Sequence, residues 1–272
     1  MIDYLLEITF DDSAGEELIQ SRLFLTASTG STSSEDSIVA YFDSPADRDA
    51  AAQLLGDFEL RAFERERVDW LVLYQQSLEP IFIGERFVVA PDSALLPDDP
   101  GLLAIVVPQE QAFGTGSHET TALCITLLES IAFDEVRGLD VGSGSGILAM
   151  AMIRLGAKKV IAFDNDPDAY GALRDNRIRN AVPESAMPLF IGSIEALRGG
   201  AFDVITMNII PEVIVPILGD VVSRMARGAK LILSGILLVK RDDVIAAARK
   251  HGLELTRETN RGEWWAGEFG MR

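Results

Sequence analysis

A chain of 272 residues with 48% apolar and 24% charged side chains has the composition of an ordinary globular protein and the length of two domains rather than one. Its formal net charge of −18 argues against binding nucleic acid through the phosphates, which requires a basic face. No apolar run approaches the ~18 residues of a membrane span, and the opening "MIDYLLEITF" has acidic residues where a secretory signal needs a basic flank, so a cytoplasmic protein without membrane contact is expected.

Residues 1–66 read as a small α+β domain. "YLLEITF" is a strand, and "SAGEELIQSRLFL" is a helix that Ser13 would open, with Glu16 at capping-box spacing. "TASTGSTSSEDS" reads as a turn-rich loop and "SIVAYFD" as a second strand. "SPADRDAAAQLLGDF" is a helix capped by Ser44 with Pro45 in its first turn, and "LRAFERER" is a third strand. Two strand–helix pairs in so short a span suggest a ferredoxin-like unit. Residues 1–70 carry 16 Asp and Glu against 5 Arg and no Lys. Such a surface keeps a protein soluble or docks a basic partner.

Residues 67–107 read as a linker with connecting strands, "IFIGERFVVAP" and "LLAIVVP", around the loop "PDSALLPDDPG". From 108 to 272 strands and helices alternate. A helix over about 117–133 precedes the strand "RGLDVG", the helix "GILAMAMIRLGA", the strand "KVIAFD" and the helix "DAYGALRDNRIRN". The strands "PLFIG" and "FDVITMNI", the helix "EVIVPILGDVVSRMA", the strand "KLILSGI" and the helix "RDDVIAAARKHG" follow, and "LELTRETNRGEWWAGEFG" closes as two antiparallel strands. This is the pattern of a Rossmann-like parallel sheet covered on both faces, which binds ligands at the carboxyl ends of its strands near the switch in strand order. The lone cysteine, Cys124, precludes an internal disulfide, and with two histidines it leaves too few soft ligands for a typical zinc site, so no metal is expected.

Three strand ends carry chemistry. "LDVGSGSG" places Asp140 at a strand terminus and Gly142, Gly144 and Gly146 in a turn that lets the backbone approach a ligand. Its G-x-G-x-G spacing differs from the dinucleotide G-x-G-x-x-G. Asp164 ends the next strand, 18 residues after Gly146, where a carboxylate can accept both ribose hydroxyls, whereas Asp166 suits a helix cap. Asn208 ends "FDVITMN" with Pro211 starting the helix after it, and its amide can both donate and accept. These residues point to a nucleoside-bearing cofactor, NAD or S-adenosylmethionine.

"QAFGTGSHETTALC", "LDVGSGSGILAMA", "AFDNDP", "DNRIRN" and "MNII" follow one another in the order and spacing of the bacterial ribosomal protein L11 methyltransferase family, and "LSGIL" and "EWWAGEFG" resemble its closing motifs. The resemblance covers most of residues 80–272. It implies a seven-stranded class I methyltransferase domain using S-adenosyl-L-methionine, behind a small domain that recognises substrate. The implied cofactor contacts are Thr121, Gly142, Asp164 and Asn208, with Asp140 and Gly144 of the same glycine turn beside them, while Phe113, Gly114, Thr115 and His118 would line the methionine and sulfonium end. Asn208 would orient the amine acceptor, and His118 would relieve its proton or simply pack in its loop. The implied substrate is the basic ribosomal protein L11, methylated on lysine or N-terminal amino groups by a monomer. An electron-transfer flavoprotein lysine, or a cofactor-binding module without catalysis, are the competing readings. The chain departs from the family pattern at Ser143 (usually Cys), Glu119 (usually Pro) and 109–111 (usually Pro-Gly-Leu).

Overall fold

The computed structural model describes residues 2–66, 79–108, 119–197 and 199–272. The chain divides into two compact units, Met1–Gln76 and Ser77–Arg272.

In the first unit β1 (Ile2–Thr9), α1 (Ser13–Leu23), β2 (Gly30–Ser33), β3 (Ser37–Phe42), α2 (Pro45–Leu54) and β4 (Glu59–Glu66) form an antiparallel sheet in the order β2-β3-β1-β4 carrying two helices. This is a complete split βαβ of ferredoxin type. Alternate residues Ile38, Ala40 and Phe42 of β3 face inward beside Leu6 and Ile8 of β1, and Ile19, Leu23, Ala51 and Leu55 close over them from the helices. Two expectations are corrected. The cap of α1 is Asp12, whose carboxylate accepts from the Gly15 amide at 2.8 Å, while Ser13 is already helical. A charged cap opposes the helix dipole better than a hydroxyl does, and Glu16 instead accepts from Ser33 Oγ at 2.7 Å. The expected turn-rich loop contains β2, a "GSTS" edge strand exposed along its whole length. It has no apolar period and is held by register against β3 alone.

The second unit opens with β5 (Ile81–Ile83), β6 (Phe87–Ala90) and β7 (Leu103–Val106), β5 antiparallel and β7 parallel to β6. Then follow α3 (Glu119–Leu128), β8 (Arg137–Val141), α4 (Ile147–Arg154), β9 (Lys159–Asp164), α5 (Pro167–Arg179), β10 (Leu189–Ile191), β11 (Phe202–Asn208), α6 (Pro211–Val222), β12 (Met225–Leu237), α7 (Arg241–Lys250), β13 (Leu253–Arg261) and β14 (Trp264–Met271). Their seven-stranded sheet runs β10-β9-β8-β11-β12-β14-β13. All neighbours from β10 to β12 are parallel, and β14 is antiparallel to both β12 and β13. The strand order reverses between β8 and β11, which opens a crevice at their carboxyl ends.

One face of the sheet is covered by α3, α4 and Leu173 of α5, together with Phe87 and Ile105 of the three-stranded sheet. Ile214, Leu218 and Val221 of α6 and Val244 and Ala248 of α7 cover the other. Eight of the ten residues of α3 are buried, Thr120–Ile125, Leu127 and Leu128. A helix apolar on every side belongs inside a core, and α3 ends at Leu128, short of the expected 133. Among the described residues no helix is long and apolar enough to cross a membrane.

Candidate functional site

The crevice is a cavity of about 500 Å³, within the usual range for a cofactor pocket. Thr121, Asp140, Gly142, Gly144, Asp164 and Asn208 all line it, so every expected site residue that is described lies around one space. Phe113, Gly114, Thr115 and His118 fall outside the described residues.

The turn after β8 is built for close approach. Gly142, Gly144 and Gly146 have φ of +67°, +50° and +79°, and Gly146 also has Leu173 Cδ1 2.3 Å from where a Cβ would sit, so a side chain there would be strained and blocked at once. Because Gly146 is the N-cap of α4 and has no side chain, the cap comes from elsewhere. Asp140 Oδ2 accepts from the Ala149 amide at 3.2 Å, and its Oδ1 accepts from Thr206 Oγ1 at 2.6 Å. The two residues face each other in register across the parallel β8–β11 pair. Asp140 is 1% exposed. Burial pushes its carboxyl up to about 6 against the pull of the hydrogen bonds from Thr206, Ala149 and Ser143. Its first role is thus to support the turn and start the helix. The same interior pushes the Cys124 thiol up to about 12, which leaves the lone cysteine inert.

Asp164 ends β9 with one oxygen accepting from the Gly144 amide at 2.9 Å and the other from the Asp166 amide at 3.0 Å. Each oxygen keeps a free lone pair, so the carboxylate is oriented without being used up. Asp166 caps α5 through the Asp168 amide at 2.9 Å. Beside Asp164, Phe163 stacks on Phe190 with centroids 4.7 Å apart, and Phe163 and Ile194 give the cavity apolar walls there.

Asn208 Nδ2 reaches Thr121 Oγ1 at 3.4 Å. Its Oδ1 is buried and has no hydrogen-bond partner among the described residues. A buried amide oxygen left unpaired costs about 1–3 kcal/mol, a cost that a donor entering the cavity would remove. Ile210 and Val213, both exposed, and Trp264 line the cavity on this side, while Trp265 is buried and donates its indole N–H to Glu258 at 2.8 Å.

Reading from sequence did not single out Thr206, Gly192 to Ile194, Ile209 or Gly235. Thr206 was findable, since it lies two residues before Asn208 on the same strand. Gly235 sits inside "LSGIL", and only the approach of Ile209 explains it, with the Ile209 backbone oxygen 2.6 Å from where a Cβ would stand.

A family model described as Ribosomal protein L11 methyltransferase (PrmA) matches residues 7–269. A Geobacter metallireducens protein named ribosomal protein L11 methyltransferase is 39% identical over 197 residues, which cover 72% of this chain and 64% of that protein. One of the same name from Pelobacter propionicus is 34% identical over 249 residues, 84% of this chain and 80% of its own length. The chain therefore spans less than two thirds of the first of these relatives. Among solved structures, ribosomal protein L11 methylase from Lactobacillus delbrueckii subsp. bulgaricus superposes with a TM-score of 0.66 at 25% identity, covering 71% of this chain and 99% of that one. The fold is thus the expected Rossmann-like, seven-stranded class I methyltransferase architecture.

Proposed function

Since this chain belongs to the ribosomal protein L11 methyltransferase family, we propose that it is an S-adenosyl-L-methionine-dependent protein N-methyltransferase whose substrate is ribosomal protein L11, modified on lysine or N-terminal amino groups. The observation that carries the reading is the meeting of the glycine turn, Asp164 and the unpaired Asn208 Oδ1 around one cavity.

The residues present fit the cofactor. Asp164, already oriented by two backbone amides, offers its remaining lone pairs to the ribose hydroxyls. Phe163 and Ile194 supply apolar surface for a flat base, and the backbone at Gly142 and Gly144 allows close contact. When bound, S-adenosylmethionine supplies an electrophilic methyl group on its sulfonium. The chain's own task is to hold a neutral amine about 3–3.5 Å from that carbon, in line with the departing sulfur. A lysine amine titrates near ~10.4 in water. The apolar side of the cavity at Ile210, Val213 and Trp264 disfavours its charged form. Asn208 Oδ1 accepts one amine N–H and so turns the nitrogen lone pair toward the methyl group.

The reading takes the protein as a cytoplasmic monomer and residues 1–66 as the unit that meets the basic substrate; the net charge of −18 supports a basic partner and argues against a nucleic-acid one. Incubation with methyl-labelled S-adenosylmethionine and purified L11 tests it. Transfer of label to L11 is expected, whereas binding of S-adenosylhomocysteine with no labelled product would sink the enzyme and leave a binding module.

A further inference from the structure

Helix α5 lies behind the glycine turn and contributes no side chain to the cavity, yet Asn176 within it and Asn180 at its C-terminal cap are buried, each 4% exposed. Asn176 Nδ2 donates to the Ser145 carbonyl within the glycine turn at 3.0 Å. One helical turn on, Asn180 grips the free edge of β7 with both ends of its amide. Its Oδ1 accepts from the Val106 amide at 2.8 Å, and its Nδ2 donates to the Val106 carbonyl at 2.7 Å. This imitates the pairing of a further strand. The same Nδ2 donates to the Asn176 carbonyl at 2.9 Å. Arg154, at the end of the helix that starts from the glycine turn, closes the arrangement, donating to the Asn180 carbonyl at 2.9 Å and to the Ala104 carbonyl of β7 at 3.0 Å.

Neither asparagine has a packing reason to be polar. An apolar residue of similar size would fill either site without the cost of burying an amide, and both amides are spent on backbone groups of other elements. Those elements are the glycine turn, whose Gly142 to Gly144 line the cavity, and β7, the edge strand of the three-stranded sheet. The orientation of Asn176 is itself set from outside, because Arg179 Nη1 donates to its Oδ1 at 2.9 Å and Arg179 is exposed.

We propose that Asn176 and Asn180 are positioning residues that lock the glycine turn to the edge of β7, and so set the backbone that receives the cofactor. Neither touches the ligand. The proposal rests on the methyltransferase reading. Its effect falls on ground-state cofactor binding: a turn free to shift binds more weakly, and once saturated it reacts at a similar rate.

The test uses the full chain with Asn176→Asp, Asn180→Asp and Arg179→Gln. Asn176→Asp keeps size and shape but removes the donor to Ser145. Asn180→Asp places an acceptor against the Val106 carbonyl. Both are expected to raise the dissociation constant of S-adenosylhomocysteine and the KM for S-adenosylmethionine roughly tenfold, with kcat at saturating cofactor within about twofold of the parent. Arg179→Gln, on the surface, is expected to give about a twofold to fivefold rise in both, and it supplies the measurement if a buried variant does not fold. A merely structural role predicts fewer competent sites per mole with the dissociation constant of the folded fraction unchanged, and that result would overturn the proposal. If the parent chain itself fails to bind S-adenosylhomocysteine, the functional reading falls first.

Discussion

Thr206 Oγ1 on β11 and Asp140 Oδ1 on β8 stand 2.6 Å apart, joined across the two strands at which the sheet reverses its order. The bond keeps a buried carboxyl pointed at the first turn of α4, and burial holds that carboxyl up at about 6 instead of its ordinary 3.8. A raised folded-state value means that the folded protein binds this proton more tightly than the unfolded chain does. Its contribution to stability is therefore full below pH ~4 and is lost as pH rises to about 6. The stability of the parent relative to Asp140→Asn should fall across that window by up to about 3 kcal/mol and be flat above it. Paired thermal or urea unfolding series check this, and a pH-independent difference between the two proteins would show an ordinary carboxyl.

Asp164 is held by Gly144 and Asp166 with a lone pair free on each oxygen. Hydrogen bonds to a charged acceptor contribute about 1.5–3 kcal/mol each. Asp164→Ala should therefore weaken S-adenosylhomocysteine roughly tenfold to a hundredfold by calorimetric titration, and Asp164→Asn should lie between it and the parent. A change under about twofold would remove Asp164 from the ribose site.

Asn208 separates binding from chemistry. If its unpaired Oδ1 serves the amine rather than the cofactor, Asn208→Ala should lower kcat about a hundredfold and change cofactor affinity less than about fivefold. Steady-state kinetics with both substrates varied decide this. The opposite split would make Asn208 a cofactor contact alone.

Gly235 has φ of +80°, and a Cβ there would lie 2.6 Å from the Ile209 oxygen and 2.9 Å from its nitrogen and carbonyl carbon. Backbone cannot yield as a flexible side-chain tip can. Gly235→Ala should cost about 2–4 kcal/mol, lower the melting temperature and reduce kcat by moving the Asn208–Ile209 segment. Full stability and activity in this variant would mean that the strand end re-forms without penalty.

The charge of −18 predicts a salt-sensitive encounter with a basic protein. KM for L11 should rise severalfold between about 50 and 300 mM salt as the charges are screened, while the affinity for S-adenosylhomocysteine changes little. Equal sensitivity of both would place the effect in the cavity rather than on the surface.

Much of the site was legible because its chemistry is tied to strand ends. Asp164 and Asn208 each end an apolar β-branched run and Asp140 stands one residue before the end of its strand, and a parallel sheet gathers such ends at one edge. Asp166 was distinguishable from Asp164 by its place before Pro167, which is where a cap belongs. The cap of α1 lies one residue before the expected Ser13 because Asp12 and Ser13 are both good caps and only the backbone decides which is helical. The edge strand β2 was invisible because "GSTS" buries nothing, and its pairing with β3 is a tertiary fact.

The residues themselves determined the class of fold, the order of its elements and the polar groups that meet at the crevice, since periodicity and turn chemistry act over a few neighbours in the chain. Folding decided what those groups are joined to. Asp140 is tied to Thr206 and Ala149, Asn176 to Ser145, and Asn180 to Val106, bonds between residues 9 to 74 positions apart. Such partners are chosen by distance in space within a low-dielectric interior, where an unpaired amide or carboxyl is costly, and no local pattern in the chain encodes that choice.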